Sequence, residues 1–458
     1  MSTLLVDTHA HLDSGQFRAD LDAVLARAAD HGVGTILTVG CDLPSSRVSI
    51  ELAARYPQVW ASVGIHPHDA ETVDARALAE LTELAQAGKV VAIGETGLDF
   101  FRDRAPRDRQ RQAFRAQIRL ARQLGKPLIV HDRDAHDEIV AILRDEGASE
   151  VGGVMHCFSG DLALARQCIA MGFFISFAGP LTYPNSALRE VAAALPVDVM
   201  LVETDCPYLA PQPFRGKRCE PAHVSATAAA LAALKGLSPD DVARVTSLNA
   251  LRLFGIGDVD QRTRIAYTIR NSLYLNVTNR CTNHCTFCAK FKDFTVKGHQ
   301  LCLEREPAAA EVIAAVGDPA GYDEVVFCGY GEPLLRLELV KEVAAWLKGR
   351  GVRVRINTDG QANLVHGRNI LPELGGLVDV ISVSLNAADA ATYQRVCQSI
   401  YGEAAYAAVL EFLREARHYI PAVIATAVTL PGIDIAACRR IAGELGVEFR
   451  ERIYNEVG

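Results

Sequence analysis

The chain has 458 residues, 49% hydrophobic and 22% charged; at about 150 residues per domain this predicts two or three folded domains and excludes a mainly disordered chain. Lys and Arg number 47 against 55 Asp and Glu, a net charge of −8. That balance excludes a general basic coat for nucleic acid and leaves phosphate binding to metal ions or a small basic loop.

No run of about 18 apolar residues marks a membrane span. The first residues lack the basic and apolar regions of a secretion signal. Twelve cysteines in such a chain predict thiols in a reducing, cytoplasmic setting rather than disulfides.

The first half predicts strands near 4–8, 34–39, 59–64, 90–95, 128–131, 152–156, 173–177 and 199–203. Helical patterns lie between them, for example over 19–31, 107–124 and 162–171. Eight β/α repeats make the count of a (βα)8 TIM-type barrel, with an open doubly wound sheet as the alternative. A last helix is announced by Ser238 as N-cap and Pro239 at the first turn, and it stops at Gly255. The polar stretch that follows sets the expected organisation: a first domain over 1–257, a short linker over 258–264 and a second domain over 265–458.

The second half restarts the alternation, with strands expected near 272–278, 324–328, 352–356, 379–385, 422–428 and 446–450. Helices are expected near 307–316, 336–349, 403–418 and 434–444. About six β/α units without sequence repetition read as a fusion of two α/β domains, not a duplication.

Ligand-type residues gather where strands end. His9 and His11 lie two apart, so a strand projects both from one face, a natural imidazole pair for a divalent ion. Glu95, His131, His156 and Asp205 each follow a separate apolar run. In a barrel those ends converge on one rim, and random placement of polar residues does not produce that pattern.

Asp7-Thr8-His9-Ala10-His11-Leu12-Asp13, Gly64-Ile65-His66-Pro67-His68, Gly94-Glu95-Thr96-Gly97-Leu98-Asp99, His156-Cys157-Phe158-Ser159-Gly160 and Glu203-Thr204-Asp205-Cys206-Pro207-Tyr208 together resemble the TatD-type deoxyribonucleases. The resemblance covers about residues 1–256. It implies a hydrolase with two or more divalent ions (Mg, Mn or Zn) acting on DNA or a nucleotide, typically as a 3′ exonuclease. Carried over, His9, His11, Glu95, His131, His156 and Asp205 are metal ligands, Glu95 bridges two ions, and His66 contacts a phosphate. Asp205 is the candidate for orienting or deprotonating the attacking water, which makes Glu95, Asp205 and His66 the expected catalytic set. Glu203 reads either as support behind the ligands or as a carboxylate paired with a neighbouring base. Arg215, Lys217 and Arg218 form the densest basic cluster of this half and are expected to hold substrate phosphate. The family commonly has Asn where Cys219 stands. Cys157 and Cys206 flank ligands and read as small core residues.

Cys281, Cys285 and Cys288 place three thiols within eight residues. Zinc would need a fourth ligand, with His284 or Cys302 at hand; an iron–sulfur cluster held by three cysteines leaves one iron open. The Cys-x3-Cys-x2-Cys spacing resembles the radical S-adenosylmethionine superfamily, and Leu273 to Cys281 is similar to small TatD-associated radical proteins. The resemblance implies a partial (βα)6 barrel, a [4Fe–4S] cluster and reductive cleavage of S-adenosylmethionine, with an electron from a donor such as flavodoxin or ferredoxin. Gly329, Gly331, Glu332 and Pro333 then fall where the family binds the methionine amino group. Asn357 to Gly360 and Ser382 to Asn386, with Ser384 and Asn386 foremost, fall where it binds ribose and carboxylate. A protein partner or a large substrate is expected to cover the open barrel side. Cys397 reads as a buried core residue or a hydrogen-atom donor.

The resulting expectation is a phosphodiesterase fused to a radical enzyme, with no membrane contact. The alternative is a metal hydrolase of another ester or amide, such as a deacylase, with a structural zinc domain after it.

Overall fold

In the first of two units, Met1–Asp260, eight parallel strands are hydrogen-bonded in chain order. They are β1 (Leu5–Ala10), β2 (Val33–Val39), β3 (Val59–Val63), β4 (Val90–Asp99), β5 (Leu128–Arg133), β6 (Gly153–Met155), β7 (Phe173–Phe177) and β8 (Met200–Val202). A bridge between Ala10 and Cys206 brings the chain after β8 back to β1, so the sheet curls into a nearly closed TIM-type barrel. The computed structural model describes residues 4–291 and 293–454.

β1 is buried along its whole length, as a parallel strand covered on both faces requires. Ile36, Phe114, Ile118, Phe173 and Phe177 belong to the core between sheet and helices. A separate cluster of Val6, Leu37, Ala92, Ile129, Val154 and Leu201 gathers with Phe254 and Ile256. The helix Pro239–Phe254 begins with a reciprocal cap: Asp241 N–H donates to Ser238 Oγ and Ser238 N–H to the Asp241 carboxylate, both at 3.1 Å. It ends at Gly255, which takes the left-handed conformation.

β4 departs from the expected 90–95. It continues to Asp99, and its register against β5 slips between Ile93 and Thr96. Glu95 therefore sits inside an irregular strand, not after a finished one. The slip depends on two glycines at φ +150° and +147°, Gly94 and Gly97. A Cβ on Gly97 would lie 1.9 Å from the His131 carbonyl oxygen.

The second unit, Gln261–Gly458, has a mixed seven-stranded sheet ordered β17-β16-β15-β14-β13-β10-β9. Its strands are β9 (Ala266–Ile269), β10 (Ser272–Leu275), β13 (Glu324–Phe327), β14 (Val354–Thr358), β15 (Val380–Ser384), β16 (Ala422–Val428) and β17 (Glu448–Arg452). The six from β10 onward run parallel, whereas β9 is antiparallel to β10 at the edge. β9 was not expected from sequence, nor was the two-strand ribbon β11 (Thr295–Val296) and β12 (His299–Gln300). No helix among the described residues is long and apolar enough to cross a membrane.

Replacing Gly97 with Ala forces either the φ or the β4–β5 spacing to change. A loss of about 1–3 kcal/mol is expected, the scale of backbone strain at such positions, read as a lower urea midpoint at unchanged slope. An unchanged midpoint would contradict the close approach.

Candidate metal centre and cluster loop

The six ligands inferred from sequence meet in the mouth of the first barrel. Glu95 lies between two groups of imidazoles. Its Oε2 faces His9 Nε2 at 3.5 Å and His11 Nε2 at 3.9 Å. Its Oε1 faces His131 Nδ1 at 2.7 Å, His156 Nε2 at 3.5 Å and His66 Nε2 at 3.6 Å. Asp205 Oδ1 completes the first group, 3.3 Å from His11 Nε2 and 3.8 Å from His9 Nε2. The two ring nitrogens of His9 and His11 are 3.3 Å apart.

These separations suit donors arranged around a shared ion. Ligands at about 2.0–2.2 Å from a tetrahedral ion lie roughly 3.3–3.6 Å from one another, close to the separations among His9, His11 and Asp205; on the other side His66, Glu95 and His131 offer atoms within 4.8 Å of one another. His9 Nδ1 is buried without a hydrogen-bond partner among the described residues. His11 Nδ1 sits 3.3 Å from the Val39 carbonyl, which fixes the ring so that the Nε2 lone pair faces the cradle.

The electrostatics follow from crowding. Burial opposes ionisation of Glu95, yet the surrounding imidazoles, His156 foremost, with hydrogen bonds from His131 and His9, outweigh it, and its carboxyl is held well below the usual range. Burial lowers His131, but hydrogen bonds to Asp99 and Glu95 win and raise it to about 9. Burial dominates at His66 and pushes it down to about 3. The His68 amide donates to His66 Nδ1 at 3.1 Å. In the neutral ring Nε2 then carries the hydrogen, so His66 faces the site as a donor and not as a ligand.

Glu203 satisfies both readings made from sequence. It is 2.9 Å from His156 Nδ1 and accepts from the Cys157 amide and the Ser176 hydroxyl, both at 2.6 Å. It therefore orients a ligand by pairing with it. Sequence reasoning missed Asp99, whose Oδ2 lies 2.9 Å from His68 Nε2 and 3.3 Å from His131 Nε2. It also missed Cys41, 3.6 Å from Glu95 Oε2 and 3.7 Å from His11 Nδ1. Burial pushes the Cys41 thiol up to about 12. Asp99 was legible as the close of the Gly94–Asp99 motif; Cys41 carried no spacing signal.

The basic cluster does not act as one unit. Arg218 is paired with Asp20 at 2.7 Å and with Glu220 at 2.7 Å. Arg215 lies over the Tyr183 ring at 4.7 Å. Lys217 is exposed. Cys206 and Cys219 are buried, and Cys157 is half-buried.

In the second unit, Cys281, Cys285 and Cys288 are half-buried on the loop after β10. The segment 396–400 clamps this loop. His284 N–H donates to Cys397 O at 3.0 Å, Thr286 N–H to Val396 O at 2.9 Å, and Ile400 N–H to Thr282 O at 3.0 Å. Among the described residues the three sulfurs are not gathered within 4.8 Å of one another. Cys302 is exposed. Cys397 is buried in the core.

Gly331 presses on the start of that loop: a Cβ there would lie 2.1 Å from Thr278 O. A Cβ on Gly329 would meet Asn276 Oδ1 at 2.4 Å. The Glu332 carboxylate is buried and accepts from Leu334 N–H at 2.9 Å, Asp359 N–H at 2.7 Å and Thr358 Oγ1 at 2.9 Å. Through these bonds it braces the strand ends. Pro333 starts the short helical turn that follows. Ser384 closes β15. Polar atoms are orphaned here: Asn357 Oδ1, Ser382 Oγ and Asn386 Oδ1 are buried without partners among the described residues. A polar cofactor at these strand ends fits them, since native structures rarely leave such atoms unpaired.

Comparison with known proteins agrees with this division. The family model described as TatD related DNase matches residues 6–255, and the radical SAM superfamily model matches 275–445. The metal-dependent hydrolase YabD of Bacillus subtilis is 45% identical over 254 residues, 55% of this chain and 100% of its own. The 3′-5′ ssDNA/RNA exonuclease TatD of Klebsiella pneumoniae is 36% identical over 258 residues, 55% of this chain and 98% of its own. The crystal structure of YJJV, a TatD homolog from Escherichia coli, superposes with a TM-score of 0.53 at 33% identity, covering 55% of this chain and 98% of that one. The chain belongs to the TatD related DNase family through its first unit, a metal-dependent hydrolase, and carries a radical SAM enzyme domain in its second.

Proposed function

We propose that the first unit removes nucleotides from the 3′ end of single-stranded nucleic acid, and that the second cleaves S-adenosylmethionine at a [4Fe–4S] cluster held by Cys281, Cys285 and Cys288. The observation that carries the first reading is the division of Glu95, one oxygen toward His9 and His11 and the other toward His131 and His156. Divalent ions held by these residues with Asp205 would supply Lewis acidity to a phosphodiester and its attacking water. The chain's own residues do the rest. His66 offers an Nε2–H to a phosphate oxygen. Asp205 accepts a proton from water; burial opposes its ionised form, but the His11 hydrogen bond and the charges of His156 and His11 keep it ionised. Asp99 and Glu203 hold the imidazoles of His131 and His156 from behind. The described relative that degrades single strands from the 3′ end supports this choice of substrate.

For the second unit, the clamped triad loop and the orphaned polar atoms at the ends of β14 and β15 support a cluster and a nucleotide side by side. An electron donor such as flavodoxin or ferredoxin completes that half. The protein's part is to position the cofactor and exclude water.

Three measurements test these readings. With Mg, Mn or Zn, a single-stranded oligonucleotide labelled at its 5′ end should shorten stepwise from the 3′ end. Glu95→Gln should lower kcat on the order of 100- to 1,000-fold, the scale for removing one preorganised electrostatic group. The same variant should retain at most one equivalent of metal by elemental analysis where the parent retains two. Oligonucleotides left intact by the parent with every ion would overturn the assignment.

For the second unit, dithionite-reduced, anaerobically purified protein should give a [4Fe–4S]⁺ paramagnetic signal that shifts on adding S-adenosylmethionine. Cys285→Ala should abolish it. Tightly bound zinc with no cluster after full reconstitution would instead make the triad a structural site.

A further inference from the structure

Two exposed aromatic side chains stand on the rim of the first barrel, each with its backbone amide bonded to an acidic residue of the site. Phe101 and Tyr208 are both 56% exposed. The Phe101 amide donates to Asp99 Oδ1 at 3.1 Å, and the other oxygen of Asp99 faces His68 and His131. The Tyr208 amide donates to the Asp205 carbonyl at 2.9 Å, and the Tyr208 ring meets that of His11 edge-on at 6.0 Å. Burying a side chain such as Phe is worth about 1.5–3 kcal/mol. Both rings forgo that gain directly beside the reactive cradle, one on the His131 side and one on the His11 side.

A cation accompanies the first ring. Arg133 lies two residues after His131 on β5, so the two share a strand face. Its guanidinium stands 4.2 Å from the Phe101 ring centroid. The β4–β5 ladder pairs Arg133 with Asp99, and the Phe100 amide donates to Arg133 O at 2.9 Å. The Arg133 side chain is exposed and has no carboxylate partner among the described residues, unlike Arg218, which Asp20 and Glu220 occupy.

An exposed ring beside a guanidinium with no carboxylate partner among the described residues is the chemistry that single-stranded nucleic acid requires. An unpaired base stacks on the ring while the cation takes a phosphate. We propose that Phe101 and Arg133 form a base-and-phosphate subsite for single-stranded nucleic acid at one edge of the metal cradle, with Tyr208 receiving a base at the other edge. This rests on the nuclease reading above and adds the origin of its strand preference. Bases stacked within a duplex have no free face to offer either ring.

The test is equilibrium binding by the full, metal-loaded chain. The probe is a single-stranded oligodeoxynucleotide with phosphorothioate linkages at its 3′ end and one 2-aminopurine. Phe101→Leu should raise Kd about 5- to 150-fold, the equivalent of about 1–3 kcal/mol per stacked base, and should abolish the quenching of 2-aminopurine that stacking causes. Phe101→Trp should restore both. Arg133→Gln should reduce the salt dependence of log Kd by about 0.7 per lost phosphate contact. A Phe101→Leu protein that binds and quenches like the parent overturns the subsite, and so does equal affinity of the parent for duplex. If the parent shortens oligonucleotides while Phe101→Leu binding is unchanged, the subsite alone falls. If the parent neither binds nor cleaves single strands, the nuclease reading falls and takes the subsite with it.

Discussion

A single buried carboxylate, Glu95, faces five imidazoles in the barrel mouth. An isolated carboxylate in such a place costs several kcal/mol. The surrounding histidines offset that cost only in part, because burial keeps His9 and His66 from holding protons. The arrangement therefore presents lone pairs and negative charge converging on two points, and divalent cations satisfy both. The rest of the unit serves this placement. Gly94 and Gly97 permit the slip in β4 that sets Glu95 in position, while Asp99 and Glu203 fix the rings that face it.

The second unit solves a similar problem with backbone. Its cysteine loop meets one carboxylate, Asp359, beside Cys281, and is otherwise held by backbone bonds to the segment 396–400. The buried Glu332 ties the ends of β13 and β14 through three donors. A loop that must hold a redox group in fixed geometry gains more from such bracing than from apolar packing, because the bonds are directional. In both units the reactive side chains lie at the carboxyl ends of parallel strands, where side chains from distant parts of the sequence meet without disturbing the core beneath.

Much of this was legible in the sequence because ligands have spacing and strands have periodicity. His9 and His11 were legible from an interval of two, the cysteine triad from its own spacing, and the final helix from Ser238, Pro239 and Gly255. What was not legible depends on contacts between segments far apart in sequence. Arg218 reads as a free cation until the fold brings Asp20 beside it. Cys41 lies on no motif and reaches the site only because β2 neighbours β1. The bracing role of Glu332 depends on Thr358 and Asp359, which arrive from the next strand. β9 was missed because a short edge strand has too few residues for a period-two pattern to stand out.

The central claim is that Glu95 joins two ions. The most direct measurement is electron paramagnetic resonance of the protein loaded with two equivalents of Mn²⁺. The account predicts an exchange-coupled pair in the parent and only isolated Mn²⁺ signals in Glu95→Gln. Isolated Mn²⁺ signals in the parent at full loading would contradict it.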